Sequence, residues 1–130
     1  MSKKIVATDA APSAIGAYSQ AVIAGNQVYI SGQIPLDPTT MEVASDDFDV
    51  QARQVFANLE AVAEASGGGL QDAVKLTVYL TDLNDFAQLN RVMDEFIPAP
   101  YPARAAVQVS ALPRGVKIEI DAVLYLGTSD

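Results

Sequence analysis

The run Tyr101-Pro-Ala-Arg-Ala-Ala-Val-Gln-Val-Ser-Ala-Leu-Pro-Arg-Gly-Val-Lys-Ile-Glu-Ile-Asp-Ala-Val123 constrains this chain most. Its alternation predicts two β-strands joined by a tight loop, with Arg104 near the start of the first and Glu119 inside the second. In the last strand Val116, Ile118, Ile120, Ala122, Leu124 and Leu126 fall on one face; Lys117, Glu119, Asp121, Val123 and Tyr125 fall on the other. A charge in an apolar strand is costly unless it is paired or used. Here the two strands carry one charge of each sign, which suits a small zwitterionic ligand.

The chain around this pair is 130 residues long and half hydrophobic, enough for a single domain spanning 1–130 with a true core. No apolar run approaches the roughly 18 residues of a membrane span. Lys3 and Lys4 precede only Ile5-Val6-Ala7, too short for the apolar region of a signal peptide. The expectation is a cytoplasmic protein with no membrane partner. There is no cysteine and no histidine. Thiolate chemistry, Ser-His-Asp and Cys-His catalysis are therefore excluded, and the commonest zinc ligand is missing. No metal is expected. Chemistry falls to carboxylates, Arg, Lys, Tyr, hydroxyls and backbone amides. The formal net charge of -8 opposes a phosphate backbone, and the eight basic residues are scattered, so no nucleic-acid partner is expected.

Along the chain, Ile5 to Thr8 predicts a short strand. Tyr18 to Ile23 and Val28 to Ser31 flank Gly25-Asn26, which reads as a hairpin. Asp37-Pro38-Thr39-Thr40 is turn chemistry. A helix is predicted from about Asp47 to Ser66, with Ala52, Val55, Leu59, Val62 and Ser66 on one face and Gly67-Gly68-Gly69 ending it. Val74, Leu76, Val78 and Leu80 mark another strand. A second helix follows, capped by Asp82 or Asn84, with a buried stripe of Phe86, Leu89, Met93 and Phe96. Pro98, Pro100 and Pro102 end it. The order β, ββ, α, β, α, ββ implies a mixed sheet with a crossover. Two helices cover only one face of such a sheet. The mixed second face of the last strands, including Arg104, Ala106, Gln108 and Ser110, predicts contact with other copies in a symmetric homo-oligomer.

Arg104 follows a proline-rich approach and precedes small residues, which suits a desolvated guanidinium gripping a carboxylate bidentately. Glu119 is the candidate carboxylate, with Asp121 two residues on as its competitor. The loop near Ala111 to Gly115 leaves the register open, so whether Glu119 and Arg104 share a face is undetermined. Tyr18, Ser31 and Gly32 can line a ligand pocket or be plain strand residues; Gly32 would admit a ligand close to backbone amides. Asn90, on the edge of the second helix's stripe, offers a donor and an acceptor, or simply satisfies backbone groups.

Gly16-Ala-Tyr18-Ser-Gln-Ala21, Ser31-Gly-Gln-Ile-Pro-Leu-Asp-Pro38, Thr77-Val-Tyr-Leu-Thr-Asp-Leu-Asn-Asp-Phe86 and Tyr101-Pro-Ala-Arg104 with Leu112-Pro-Arg-Gly-Val-Lys-Ile-Glu119 closely resemble the RidA (YjgF) family of reactive-intermediate deaminases. The resemblance runs over nearly the whole chain. It implies a chorismate-mutase-like α+β fold, a six-stranded mixed sheet with two helices on one face, and a homotrimer whose sheets form a central barrel, with active sites in the clefts between subunits. The implied activity is cofactor-free hydrolysis of 2-imino acids such as 2-iminobutanoate and 2-iminopropanoate to 2-keto acids and ammonia, which removes reactive products of pyridoxal-phosphate enzymes. By position, Arg104 would bind the substrate carboxylate and Glu119 would hold or activate water. Tyr18, Ser31 and Asn90 would line the pocket, with the backbone of Gly32 and Ala106 nearby. The family's usual Gly-Pro-Tyr is Gly16-Ala17-Tyr18 here, and Ala106 stands where many bacterial relatives carry Cys. The competing expectations are a non-catalytic, carboxylate-binding or chaperone-like trimer and a ribonuclease; acidity and the missing histidine weigh against the latter.

Overall fold

The computed structural model describes residues 2–127. Six strands, β1 (Lys4–Val6), β2 (Ala21–Ala24), β3 (Gln27–Gln33), β4 (Ala73–Leu80), β5 (Ala103–Gln108) and β6 (Ile118–Tyr125), form one mixed sheet in the order β1-β2-β3-β6-β4-β5. Two helices, α1 (Phe48–Ala65) and α2 (Phe86–Phe96), lie between β3 and β4 and between β4 and β5 in sequence. The mixed sheet and the element order are those the sequence patterns predict, and the α+β arrangement is the one the resemblance implies.

Local chemistry explains most boundaries. Gly25 takes φ +62° in the β2–β3 turn, a left-handed conformation that glycine adopts without strain. The Asp47 carboxylate accepts from the backbone N–H of Val50 and starts α1. At the other end Gly67, at φ +100°, and Gly68 donate to the carbonyls of Glu64 and Ala63, so the last turn's acceptors are satisfied. The expected strand from Tyr18 begins only at Ala21. Gln20 is buried and uses its side-chain amide on the loop instead, accepting from Thr8 N–H and donating to the carbonyls of Thr8 and Pro12.

The core lies between the helices and one face of the sheet. Val55, Phe56, Leu59 and Val62 of α1 and Leu89 and Val92 of α2 meet Val28, Leu76, Val78, Leu80, Ile118, Ile120 and Leu124, all fully buried. Phe56 stacks on Phe96 with ring centroids 5.4 Å apart. At positions such as Leu59, truncation to Ala costs about 2–5 kcal/mol.

Two expectations about the last strands fail. β5 and β6 are not hairpin partners, because β4 runs between them, parallel to β5 and antiparallel to β6. The connecting loop passes over the end of β4, where Val109 N–H donates to Leu80 and Thr81 N–H donates to Lys117. The faces of β5 are also the reverse of those expected. Arg104 and Ala106 stand opposite Leu76 and Val78, on the helix-covered side. Ala103, Ala105 and Val107 point to the uncovered face. That open face also carries Ile5, Tyr29 and Tyr125, large side chains left substantially exposed.

Candidate functional site

Arg104 reaches the helix side of the edge strand β5, and α2 presents Phe86, Asn90 and Met93 to it. These residues follow i, i+4, i+7 spacing, one face of the helix. The guanidinium sits over the Phe86 ring, 5.0 Å from its centroid. One terminal nitrogen donates to Asn90 Oδ1 at 2.7 Å and approaches Met93 Sδ at 3.5 Å. Among the described residues no carboxylate lies within ion-pair distance of it. Arg104 lines a hollow of about 610 Å³ shared with Asp94, Tyr101 and Pro102. Phe86 is the residue sequence reasoning misplaced. It is not part of the buried stripe, where Val92 takes its place, but half-exposed beneath the guanidinium. An aromatic four residues before Asn90 was the available signal.

Glu119 stands opposite Tyr79, between the core-facing Ile118 and Ile120, and so projects from the other face of the sheet. Its hollow, about 490 Å³, also takes in Tyr18, Ser31 and Gly32, with Ile15 and Leu36 on the apolar rim. Ser31 and Gly32 occupy a bulge in β3, where the register against β6 shifts between Ile30 and Gln33. The bulge carries the Gly32 backbone against the carboxylate. A Cβ at Gly32 would lie 2.0 Å from Glu119 Oε2, so a side chain there would push the carboxylate aside. Ser31 donates its hydroxyl to the Ser19 carbonyl at 2.6 Å, which ties the Tyr18 loop to β3 and leaves the oxygen's lone pairs open. Tyr18 OH accepts from the Ile15 N–H at 3.4 Å.

Burial, and then the charge of Asp121, push the Glu119 carboxyl above the ordinary range. Among the described residues it has no hydrogen-bond partner in the protein, so its oxygens are available to water or ligand. Two buried polar side chains of α1 hold nearby backbone. Asn58 donates to the carbonyls of Ile34 and Leu36, and Gln51 links the Ser45 carbonyl to the N–H of Lys117. Neither was anticipated, since the face read on this helix was Ala52, Val55, Leu59, Val62 and Ser66 and left both out.

The expected site residues thus fall into two groups. Arg104 and Asn90 share one hollow, with Ala106 two residues along the same face of β5; Tyr18, Ser31, Gly32 and Glu119 share the other. Within one chain Arg104 and Glu119 do not share a cavity, because β5 and β6 project these side chains from opposite faces. Among the described residues no cluster of three or more acidic side chains is placed to hold a metal ion, and no helix is long and apolar enough to cross a membrane.

With this geometry in hand, comparison with known proteins is informative. Residues 8–126 match the family model described as Endoribonuclease L-PSP. The chain is 43% identical over 124 residues to a 2-iminobutanoate/2-iminopropanoate deaminase of Dermatophagoides farinae, covering 95% of this chain and 97% of that one. Its fold superposes with a TM-score of 0.91 on RidA from an Antarctic Psychrobacter species, at 56% identity and covering 94% of this chain and 98% of that one. It also superposes with a TM-score of 0.88 on Escherichia coli TdcF with bound serine, at 46% identity over 94% and 98% of the two chains. Matched along nearly its whole length in sequence and in fold, this chain belongs to the RidA (YjgF) family.

Proposed function

We propose that the protein hydrolyses 2-imino acids, 2-iminobutanoate and 2-iminopropanoate among them, to 2-keto acids and ammonium, at sites completed between subunits of a homotrimer. The observation that carries this reading is the Arg104 guanidinium. It is held by Phe86 and Asn90, has no carboxylate partner among the described residues and opens on a hollow. Such a group is suited to an anionic ligand end. The open face of the sheet, with Ile5, Tyr29, Val107 and Tyr125 exposed, supports association with further copies. Packing of that kind can bring the Arg104 hollow of one copy to the Glu119 hollow of the next.

The chemistry follows from the charges. Arg104 fixes the carboxylate of the imino acid through two parallel hydrogen bonds. The protonated imine carbon is already electrophilic, so no covalent nucleophile is needed. Glu119 orients a water and takes its proton as the oxygen bonds to carbon, giving a neutral carbinolamine. The protonated Glu119 then returns that proton to the nitrogen. The carbon–nitrogen bond breaks, the hydroxyl oxygen becomes the carbonyl, and its proton leaves with the nitrogen as ammonium. Iminium and water become ketone and ammonium, with no cofactor in the balance. Positioning and general-base help together supply several powers of ten.

A second reading, a trimer that only holds small carboxylates, draws support from the relative crystallised with serine. The ribonuclease in the family description finds less support, because the chain has no histidine and carries a net charge of -8. The deciding experiment couples a threonine dehydratase to the protein and follows ketobutyrate release. Acceleration over the uncatalysed rate, reduced about tenfold or more by Arg104→Lys, is expected from losing charge-assisted bonds. No acceleration by the pure protein leaves the binding reading.

A further inference from the structure

Glu119 does not stand alone on the open face. Tyr79, on β4, is its direct cross-strand partner, and Asp121 is the next residue on the same face of β6. Directly opposed side chains on antiparallel strands lie close enough to touch. Nothing in that register prevents the Tyr79 hydroxyl from donating to Glu119. It donates instead along the diagonal, to Asp121 Oδ2 at 3.1 Å. We propose that Asp121 is a positioning residue for Glu119: by capturing the Tyr79 hydroxyl, it keeps the phenol off the neighbouring carboxylate and leaves those oxygens open to water.

This inference rests on reading Glu119 as the base that handles water. A carboxylate that already accepts a phenol hydrogen bond is a weaker base and has fewer lone pairs for a nucleophile. The other polar groups around Glu119 are engaged elsewhere. Just before β6, Lys117 sends its ammonium to the Asp46 carbonyl. On β3, the Ser31 hydroxyl donates to Ser19, and Gly32 has no side chain. From the loop before β2, Tyr18 meets the Ile15 N–H. Tyr79 is thus the donor closest in register, and Asp121 is the group that occupies it. The arrangement agrees with the electrostatics of both partners. Burial, the hydrogen bond to Asp121 and the nearby negative charges all hold the Tyr79 phenol protonated, and Asp121 raises Glu119.

The test titrates the side-chain carboxyl of Glu119 by carbon-13 NMR in the assembled protein and in three variants. Asp121→Asn keeps an acceptor for the phenol and removes the charge. Asp121→Ala removes both. Asp121→Ala/Tyr79→Phe removes the freed phenol as well. The expected order of Glu119 midpoints is wild type highest, Asp121→Asn lower and Asp121→Ala lowest, with the double variant returning to the Asp121→Asn value. Equal midpoints in Asp121→Ala and Asp121→Ala/Tyr79→Phe would overturn the proposal, because the phenol then never reaches Glu119. An Asp121→Asn midpoint as low as that of Asp121→Ala would overturn it too, because asparagine keeps the acceptor that holds the phenol. The pH profile of kcat/KM for 2-iminobutanoate hydrolysis separates this proposal from the one it rests on. Midpoints that shift as ordered, with an unmoved acidic limb of the rate profile, support the Asp121 role and overturn Glu119 as the base.

Discussion

Arg104 and Glu119 project from opposite faces of one sheet. On β4, Leu76 stands opposite Arg104 and Tyr79 stands opposite Glu119. Three residues along a strand reverse the face, so a single chain separates the two groups by its own backbone. An active site using both must draw them from two copies.

That separation makes subunit mixing a sharp test. Arg104→Lys and Glu119→Gln chains, each nearly inactive alone, are unfolded together in equal amounts and refolded. In a cyclic trimer with random assembly, roughly a quarter of the sites receive an intact Arg104 from one chain and an intact Glu119 from its neighbour. Turnover recovering to about that fraction is expected in the coupled dehydratase assay. A mixture no more active than its components would show that both residues come from the same chain.

Gly32→Ala places a methyl group where Glu119 Oε2 now lies. The carboxylate must swing away. Displacement of a reacting group by about 1 Å costs roughly a hundredfold in favourable cases. A fall in kcat of roughly tenfold to a hundredfold is expected, with a small change in Tm. In a Glu119→Ala background the same Gly32 substitution should cost nothing further, because there is no carboxylate left to displace. An additive loss in the double variant would argue for a separate role of the Gly32 backbone.

Phe86→Leu keeps apolar bulk on α2 but removes the ring beneath the guanidinium. A cation–π contact at a partly exposed site is worth about 0.5–1 kcal/mol. KM is expected to rise severalfold with kcat little changed, and Phe86→Tyr should restore it. Equal KM values in all three proteins would show that Asn90 alone holds Arg104.

Stability should improve when the candidate base is neutralised. Glu119 titrates above its unfolded range, chiefly because it is buried and then because of Asp121. Its ionisation therefore opposes folding. The folded state is favoured most below the unfolded carboxylate pKa, and that advantage is lost as pH rises through the elevated folded value. Glu119→Gln should melt higher than wild type at neutral pH, with the gap closing as pH falls into the acidic range. A gap that is constant with pH would assign the gain to packing rather than charge.

Arg53 links the two helices, alongside the hydrogen bond from Gln88 of α2 to Asp49 of α1. Arg53 on α1 donates to Asp49 at 2.8 Å and grips Glu95 of α2 through both terminal nitrogens, at 2.9 and 2.8 Å. Its hydrogen bonds hold both carboxyls below their ordinary range. Stability from this cluster is present above the unfolded carboxylate pKa and lost as pH falls through the lowered folded values. Arg53→Gln should lower Tm modestly at neutral pH and low salt. The deficit should shrink in acid and at high ionic strength, since these groups are exposed. A Tm difference unaffected by either condition would assign Arg53 a packing role only.

What the sequence determined by itself was which residues share a face on α1 and on β6. Alternation from Val116 to Leu126 and the Ala52-Val55-Leu59-Val62 stripe follow from geometric periods of 2 and 3.6 residues, and burial enforces both. The motifs carrying Arg104, Glu119, Tyr18, Ser31 and Gly32 were equally legible, because side-chain chemistry is written residue by residue. What only the tertiary structure decided was adjacency. β4 enters between β5 and β6, which places Arg104 with α2 and Phe86 and leaves Glu119 beside Tyr79 and the Gly32 bulge. Strand order is set by how the whole core closes under α1 and α2, a sum over contacts distant in sequence. No local period encodes it, and so the face a charged side chain meets is known only once the sheet is assembled.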